Sequence, residues 1–349
     1  MRGMKILENT IRTLSDLRGI SGFEYRISDE IVNLFKPYCD DIKQDALGNI
    51  IALKKGTTGT KKIMLEAHYD EIGLMVSDID ENGFLSFLNI GGVDTRILPS
   101  AEVIVHGKHD IKGVIGAKPP HLQNSDEEDK SIKIKDMSID TGLPPDEVKK
   151  NIIVGTPVTL SQSVGKLLNN NISLKTLDDR AGVAAILEVF KKLDKIDADL
   201  YASISVQEEV GLRGAKVSSF SLMPDFAIAI DVCHAITPDN SREAFESGSG
   251  VVITVGPNIH PAISQKLSDI SKKYDIKTNI EVSNGDTGTD AWAIQVSKTG
   301  IPTGLLSIPL KYMHTSVETM NLDDFSGLVS LIEEFLKESD EFSEDWLCY

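Results

Sequence analysis

An α/β domain interrupted by a small β-rich module is the fold this sequence predicts. Short apolar runs alternate with helix-periodic segments at both ends of the chain. Between about Gly73 and Leu160 the texture shifts to short β-branched stretches broken by Gly, Pro and Asp. Length agrees, since 349 residues exceed one ordinary core and suggest two domains. The expected division is a sheet-and-helix unit made of 1–72 and 162–349, with an inserted barrel-like unit at 73–161 and no internal repeats.

The elements follow in order. Ile6, Ile11, Leu14 and Leu17 recur at helical spacing over Lys5–Leu17, and Gly19 and Gly22 then punctuate the chain. A second helix is expected over Tyr25–Phe35. Asp45-Ala-Leu-Gly-Asn49 reads as a tight turn into a strand at Ile50–Leu53, and Lys61–Ala67 is the next strand, delivering His68. The insert carries strand-like runs at Phe84–Leu88, Ala101–His106, Gly113–Gly116 and Pro157–Leu160, and a highly charged surface loop at Gln123–Lys135. Beyond it, Val183, Ile186, Leu187, Phe190 and Leu193 mark a helix over Ala181–Leu193. Strands are expected at Leu200–Val206, Phe226–Ile230 and Thr303–Ile308, and helices at Pro261–Tyr274 and Leu322–Leu336.

Composition narrows the partners. With 36 basic against 53 acidic residues the net charge is -17, which argues against nucleic acid and against an anionic membrane surface. No stretch of 18 apolar residues and no secretory apolar core occur. Cys39, Cys233 and Cys348 are sparse and form no CxxC pair, so reduced thiols and a cytoplasmic location are expected.

Chemistry concentrates where apolar runs end. His68, Glu208–Glu209, Asp231 and His314 each follow such a run, and an open α/β sheet gathers side chains from that edge into one crevice. Two histidines and several carboxylates form an N/O site suited to zinc, cobalt or manganese. Asp70, two residues after His68, is placed to hold the second ring nitrogen of that histidine or the local turn. Asp178–Asp179 precedes a helix, where the pair would either cap N–H groups or bridge two cations with Arg180 neutralising one carboxylate. Adjacent glutamates point apart, so one of Glu208 and Glu209 can ligate while the other moves a proton. His121, stiffened by Pro119 and Pro120, is a candidate oxyanion donor reaching in from the insert, and 285–291 has the composition of a tight loop. No phosphate-binding loop or dinucleotide fingerprint is present.

Taken together, Ala67-His-Tyr-Asp-Glu-Ile-Gly73, Gly116-Ala-Lys-Pro-Pro-His121, Leu177-Asp-Asp-Arg-Ala-Gly182, Val206-Gln-Glu-Glu-Val-Gly-Leu-Arg-Gly-Ala215, Gly256-Pro-Asn-Ile-His-Pro261, Gly288-Thr-Asp-Ala291 and Tyr312-Met-His314 resemble the M42 family of dinuclear metallo-aminopeptidases, some of them once labelled endoglucanases. The matches span nearly the whole chain in order. The resemblance implies an α/β metallopeptidase domain with an inserted dimerisation domain, in some members assembled into dodecamers. It implies two divalent ions, one held by His68 and Asp231 and one by Glu209 and His314, with Asp178 bridging. Glu208 would be the general base and Asp70 would orient His68. The substrates implied are peptides with a free N-terminus. Tyr69 stands where the family more often has methionine, and Asp239–Gly250 is less rich in glycine and lysine than usual.

Two rival readings accompany this one. Paired carboxylates also serve glycoside hydrolysis, although adjacent glutamates, two ligand-like histidines and only two tryptophans, Trp292 and Trp346, suit a metal site better. A non-catalytic assembly protein with a decayed site is the other, against which stands the intact ligand set.

Overall fold

A computed structural model describes residues 2–119, 131–161, 165–240, 244–342 and 345–347. The chain opens with α1 (Arg2–Ser15), which buries Leu7, Ile11 and Leu14, and α2 (Ser28–Phe35), which buries Ile31 and Phe35. β1 (Asp41–Gln44) and β2 (Ile50–Lys54) pair as a hairpin. Asp45 stabilises its turn by accepting N–H bonds from Leu47, Gly48 and Asn49. β3 (Lys62–His68) ends on His68.

Six strands then leave the main sheet and close into a barrel. They are β4 (Gly73–Ile79), β5 (Leu85–Ile90), β6 (Glu102–His106), β7 (Asp110–Ala117), β8 (Met137–Asp140) and β9 (Pro157–Leu160), joined in the order β4-β5-β8-β7-β6-β9. Strand alternation builds the interior: Ile111, Gly113 and Ile115 of β7 point in while Lys112 and Val114 point out. Leu74, Val76, Phe87, Val105 and Ile139 fill a core separate from that of the main sheet, and α3 (Pro145–Asn151) adds Val148 to it. Most of the charged stretch Gln123–Lys135 lies outside the described residues; Ile134–Asp136 forms a single 3-10 turn.

The rest of the chain completes the α/β unit. Its elements are β10 (Asn171–Leu174), α4 (Leu177–Lys192), β11 (Asp199–Ser205), α5 (Arg213–Leu222), β12 (Phe226–His234), β13 (Val251–Val255), α6 (Pro261–Lys273), β14 (Thr278–Val282), α7 (Asp290–Gln295), β15 (Thr303–Lys311), β16 (Glu318–Asn321) and α8 (Leu322–Glu338). The main sheet has ten strands, eight of them in the order β1-β2-β11-β3-β12-β15-β13-β14, with β10 and β16 paired beside β15. β11, β3, β12 and β15 run parallel, whereas β13 opposes β15.

Helices cover both faces, and period-two alternation sorts the side chains between them. Ile63, Leu65, Ala67, Ile228 and Ile230 join the large core shared with α1, α4, α6 and α8. Met64, Ala227 and Ala229 face the smaller cluster under α5 and α7. α4 is the central helix, buried from Leu177 to Phe190 on every side and apolar there apart from Asp178, Asp179, Arg180 and Glu188. Each large apolar side chain buried there contributes about 1.5–3 kcal/mol relative to exposure. By the same alternation Glu66, His68 and Asp231 belong to the α5/α7 face, where the thinner helical cover leaves a crevice.

Candidate metal centre and active site

Four neighbouring parallel strands bring the expected residues to one edge. His68 closes β3 as the sequence predicts. Asp231 does not close its strand: β12 continues to His234, because β15 pairs with it as far as Leu310. Glu208 and Glu209 also do not close a strand. β11 stops at Ser205, and Gln207 adopts φ 58°, so the chain turns and both glutamates sit in that turn. Their divergence comes from this turn and not from strand pleat. His314, itself at φ 61°, follows the end of β15 at Lys311.

Asp178 sits between the two histidines. Its Oδ1 is 3.2 Å from His68 Nε2 and its Oδ2 is 3.2 Å from His314 Nε2. Glu209 Oε2 is 3.4 Å from His314 Nε2, and Glu208 Oε2 stands back at 3.9 Å from His68 Nε2. Ligand atoms of Asp178, Glu209 and His314 lie within 4.8 Å of one another, and so do those of His68, Asp179 and Asp231. All five expected ligands therefore meet, and Asp179 joins them. Asp179 takes the capping part weighed for the pair. Its Oδ1 accepts from Gly182 N–H at 3.0 Å, capping the regular part of α4 that begins after the non-helical dihedrals of Asp178 and Asp179. Its Oδ2 is buried without a partner.

Arg180 does not neutralise this pair. Fully buried, it donates to the carbonyls of Leu14 and Tyr69, both at 2.7 Å, and its nearest acid is Glu71 at 3.9 Å. Glu71 in turn pairs with Lys175 at 2.6 Å and accepts from the Thr176 hydroxyl and from Gly19 N–H. This buried network anchors the segment entering Asp178, and among the described residues no lysine or arginine pairs with the ligand carboxylates. Tyr69 is equally structural: it is buried, and its hydroxyl donates to Gly48 O at 2.9 Å.

A supporting shell holds the ligands. Asp70 Oδ1 lies 3.5 Å from His68 Nδ1, the outer limit of a hydrogen bond, and that nitrogen has no closer partner. Asp70 also accepts from Glu208 N–H at 3.1 Å, from Glu209 N–H at 3.2 Å and from the Ser21 hydroxyl, so one carboxylate ties both motifs together. Glu318, which sequence reasoning did not single out, accepts from His314 N–H at 2.9 Å and Asp178 N–H at 3.0 Å. Gly92, from the barrel, offers its carbonyl to His314 Nδ1 at 3.1 Å, aiming Nε2 at Asp178 and Glu209. A Cβ at Gly92 would meet that ring at 2.7 Å, so only glycine fits. Behind His68, Glu66 and Asp290 form a buried acid pair, with Ser205 donating to Asp290 at 2.9 Å. The readable signals were a lone acid inside the apolar run of β3 and the Gly91-Gly92 doublet.

Crowded acids shift one another. Burial, reinforced by Asp231, Asp290 and Asp178 against the opposing pull of His68, lifts Glu208 to about 10. Burial and Asp178 lift Glu209 to about 8, and burial and Asp178 lift Asp231 to about 8. Burial opposes ionisation of Asp178 too, but hydrogen bonds with His314 and His68 hold it below the usual carboxylate range. Its bond to Asp178 raises His314 to about 9. Such a cluster, with an unpartnered carboxylate oxygen and two imidazoles presenting Nε2 to carboxylates, fits divalent cations by its donor chemistry.

The crevice opens into a cavity of about 500 Å³ lined by Asp178, Glu208, Glu209, Asp231 and His314 together with Trp292 and Asp286–Thr289. The 285–291 segment is thus more than a plain turn: its middle walls the cavity and Asp290–Ala291 opens α7. His121 lies outside the described residues, as do 241–243 of the Asp239–Gly250 segment. Among the described residues no helix is long and apolar enough to cross a membrane.

Known proteins share this arrangement of elements. The family model described as M42 glutamyl aminopeptidase matches residues 48–331. A lysyl aminopeptidase of Pyrococcus furiosus is 38% identical over 327 residues, covering 92% of this chain and 94% of that protein. The structure of aminopeptidase APDkam598 from the archaeon Desulfurococcus kamchatkensis superposes with a TM-score of 0.91 at 35% identity, over 99% of this chain and 97% of its own. The Pyrococcus horikoshii TET1 peptidase, which can assemble into a tetrahedron or a large octahedral shell, gives 0.84 at 34% identity, over 95% and 99%. The chain therefore belongs to the M42 family of aminopeptidases, hydrolases of the peptide bond.

Proposed function

We propose that this protein is a two-metal aminopeptidase that removes N-terminal residues from peptides with Glu208 as general base. The observation that carries the reading is Asp178, whose two oxygens each lie 3.2 Å from a different histidine. A carboxylate so placed suits a bridge, with His68 and Asp231 completing one site and Glu209 and His314 the other. Asp179 is an added acid on the first side. Two divalent ions, zinc or cobalt first and manganese next by ligand type, would polarise the scissile carbonyl and acidify a water.

The protein's own groups do the rest. Glu208 takes a proton from the attacking water and returns it to the leaving amine. The carboxylates of the crevice attract the free α-amine, which limits cleavage to the N-terminal residue. Asp70 holds His68 and the Glu208–Glu209 turn in register. The test is release of single amino acids from peptides after chelation and refilling with each metal; cleavage inside the peptide, or activity untouched by exhaustive chelation, would overturn the reading. Assembly as a homo-oligomer, built from dimers through the 73–161 insert and extending to a dodecamer, is part of the same proposal. Exposed Leu88, Val114, Ile153 and Val154 on the barrel support it.

Two further results are expected. Asp70→Asn should weaken metal binding by about 10–100-fold, the usual cost of losing a carboxylate that orients a ligand histidine, measured by competition with a chelator. Metal uptake should release protons. In the metal-free protein Glu209 and Asp231 at about 8 and His314 at about 9 still hold theirs at pH 7, so binding must displace them. Affinity should therefore climb from pH 6 to pH 9 and level off above. These folded-state values are raised above the unfolded ones, so the stability they confer is lost as pH rises through them, and the metal-free protein should melt at a lower temperature at pH 9 than at pH 6. Calorimetry in buffers of different ionisation enthalpy counts the protons, and uptake with none released would contradict the expectation.

A further inference from the structure

Between α1 and α2 the chain carries Gly19-Ile-Ser-Gly-Phe-Glu24, a stretch that supplies no metal ligand and yet closes on the site. Phe23 N–H donates to Ile20 O at 2.8 Å, and Gly22 turns the corner at φ 85°, a conformation that favours glycine. Backbone bonds strap this turn to the residue after Asp70. Ser21 N–H donates to Glu71 O at 3.0 Å and Glu71 N–H to Gly19 O at 3.2 Å. Two side chains are thereby delivered inward. The Ser21 hydroxyl donates to Asp70, and the Glu24 carboxylate, 4% exposed, accepts from Gln207 N–H at 3.0 Å.

Gln207 is a residue that needs such a partner. Its φ of 58° lies in the left-handed region, where a residue other than glycine stays only when its surroundings hold it. The N–H groups of Gln207, Glu208 and Glu209 each donate to a buried carboxylate, the first to Glu24 and the other two to Asp70. Gly211 and Leu212 N–H close the far side on Glu208 O, at 2.8 and 3.0 Å. Glu209 has a further anchor, because it sits among converging ligand atoms, whereas Glu208 belongs to neither group. The aim of Glu208 thus rests on the turn, and Glu24 grips the turn where the chain leaves β11. Burial first, then the field of Asp70, lift Glu24 to about 7, which suits an oxygen acceptor better than a fixed charge.

Resting on the reading of Glu208 as general base, we propose that Glu24 is a positioning residue for catalysis, which by holding Gln207 N–H aims the Glu208 carboxylate at the attacking water. It touches neither metal ligand side chains nor substrate. Its loss therefore acts on turnover and not on affinity, since a displacement of about 1 Å at a reacting group costs up to about a hundredfold.

Two substitutions of similar volume separate hydrogen bonding from packing. Glu24→Gln keeps an oxygen acceptor, and Glu24→Met fills the same space with only a weak one. The assay uses the metal-loaded full-length protein and the aminoacyl p-nitroanilide that it cleaves fastest. Glu24→Met should lower kcat by about ten- to a hundredfold with KM and metal content unchanged, and Glu24→Gln should restore most of the rate. A cycle with Glu208→Gln gives a readout that a general loss of stability would not move. Once the base is gone its aim no longer matters, so adding Glu24→Met should cost nothing further. Glu24→Ala takes the same place in the cycle if Glu24→Met does not fold. Normal kcat in folded Glu24→Met, a Glu24→Gln enzyme as slow as Glu24→Met, or losses that multiply in the double variant overturn the proposal and leave the aminopeptidase reading standing. Near-normal kcat in Glu208→Gln alone overturns the assignment of the base and this proposal with it.

Discussion

Glu208→Gln should retain two metal ions and lose turnover by about a hundred- to ten-thousandfold, the range for removal of a general base. Retention is expected because Glu208 stands back from the ligand cluster. It approaches His68 only to 3.9 Å, and it belongs to neither group of converging ligand atoms. Loss of turnover is expected because the amide cannot take a proton from water. Burial and the neighbouring acids hold Glu208 at about 10 in the metal-free protein, so its carboxyl is protonated and idle at neutral pH. Positive charge in the ligand ring would favour the ionised form and bring the group into the range where it can act as a base. The same substitution at Glu209 should instead remove metal, since Glu209 lies 3.4 Å from His314 and within one ligand group. Metal analysis beside steady-state rates separates the two, and a Glu208→Gln enzyme of near-normal kcat would sink the assignment of the base.

What could be read from the sequence follows the range of the forces involved. Apolar runs and their periods are local, so β3, β11, β12, α4 and α8 were legible to within a few residues, and with them the crevice. Strand ends were less so. Asp231 lies inside β12 because pairing with β15 prolongs it, and Glu208–Glu209 lies in a turn because Gln207 leaves the β region. Neither is written in a hydrophobic pattern. Arg180 looked like a partner for its neighbours but turns to two carbonyls contributed by α1 and the segment after β3. Glu318 is the clearest miss. Its role depends on bringing the backbones of Asp178 and His314 to one carboxylate, a contact between positions 140 residues apart in one case. Gly92 is another, since it comes from the barrel and serves a histidine of the α/β unit.

The bridge predicts an asymmetric loss. In Asp178→Asn one oxygen becomes an NH2 group that cannot ligate, and the buried negative charge set between the two histidines disappears. The sides are not equally provided. His68 and Asp231 keep a third candidate ligand in Asp179, whose Oδ2 is buried and otherwise unpartnered. Glu209 and His314 retain only each other, on the more open side, where His314 is 32% exposed. The ion between Glu209 and His314 should therefore be lost first, leaving about one per chain after dialysis, and activity should fall by about a thousandfold or more because a single ion cannot clamp both oxygens of the displacement. Replacing Asp179 by Asn should show the reverse order, loosening the His68 side while Glu209 and His314 keep their ion. Metal content after dialysis, read with a spectroscopically active ion such as cobalt, distinguishes the two substitutions. Two ions retained by Asp178→Asn, with normal turnover, would mean that Asp178 links the histidines without bridging the metals, and the division of labour among these carboxylates would have to be drawn again.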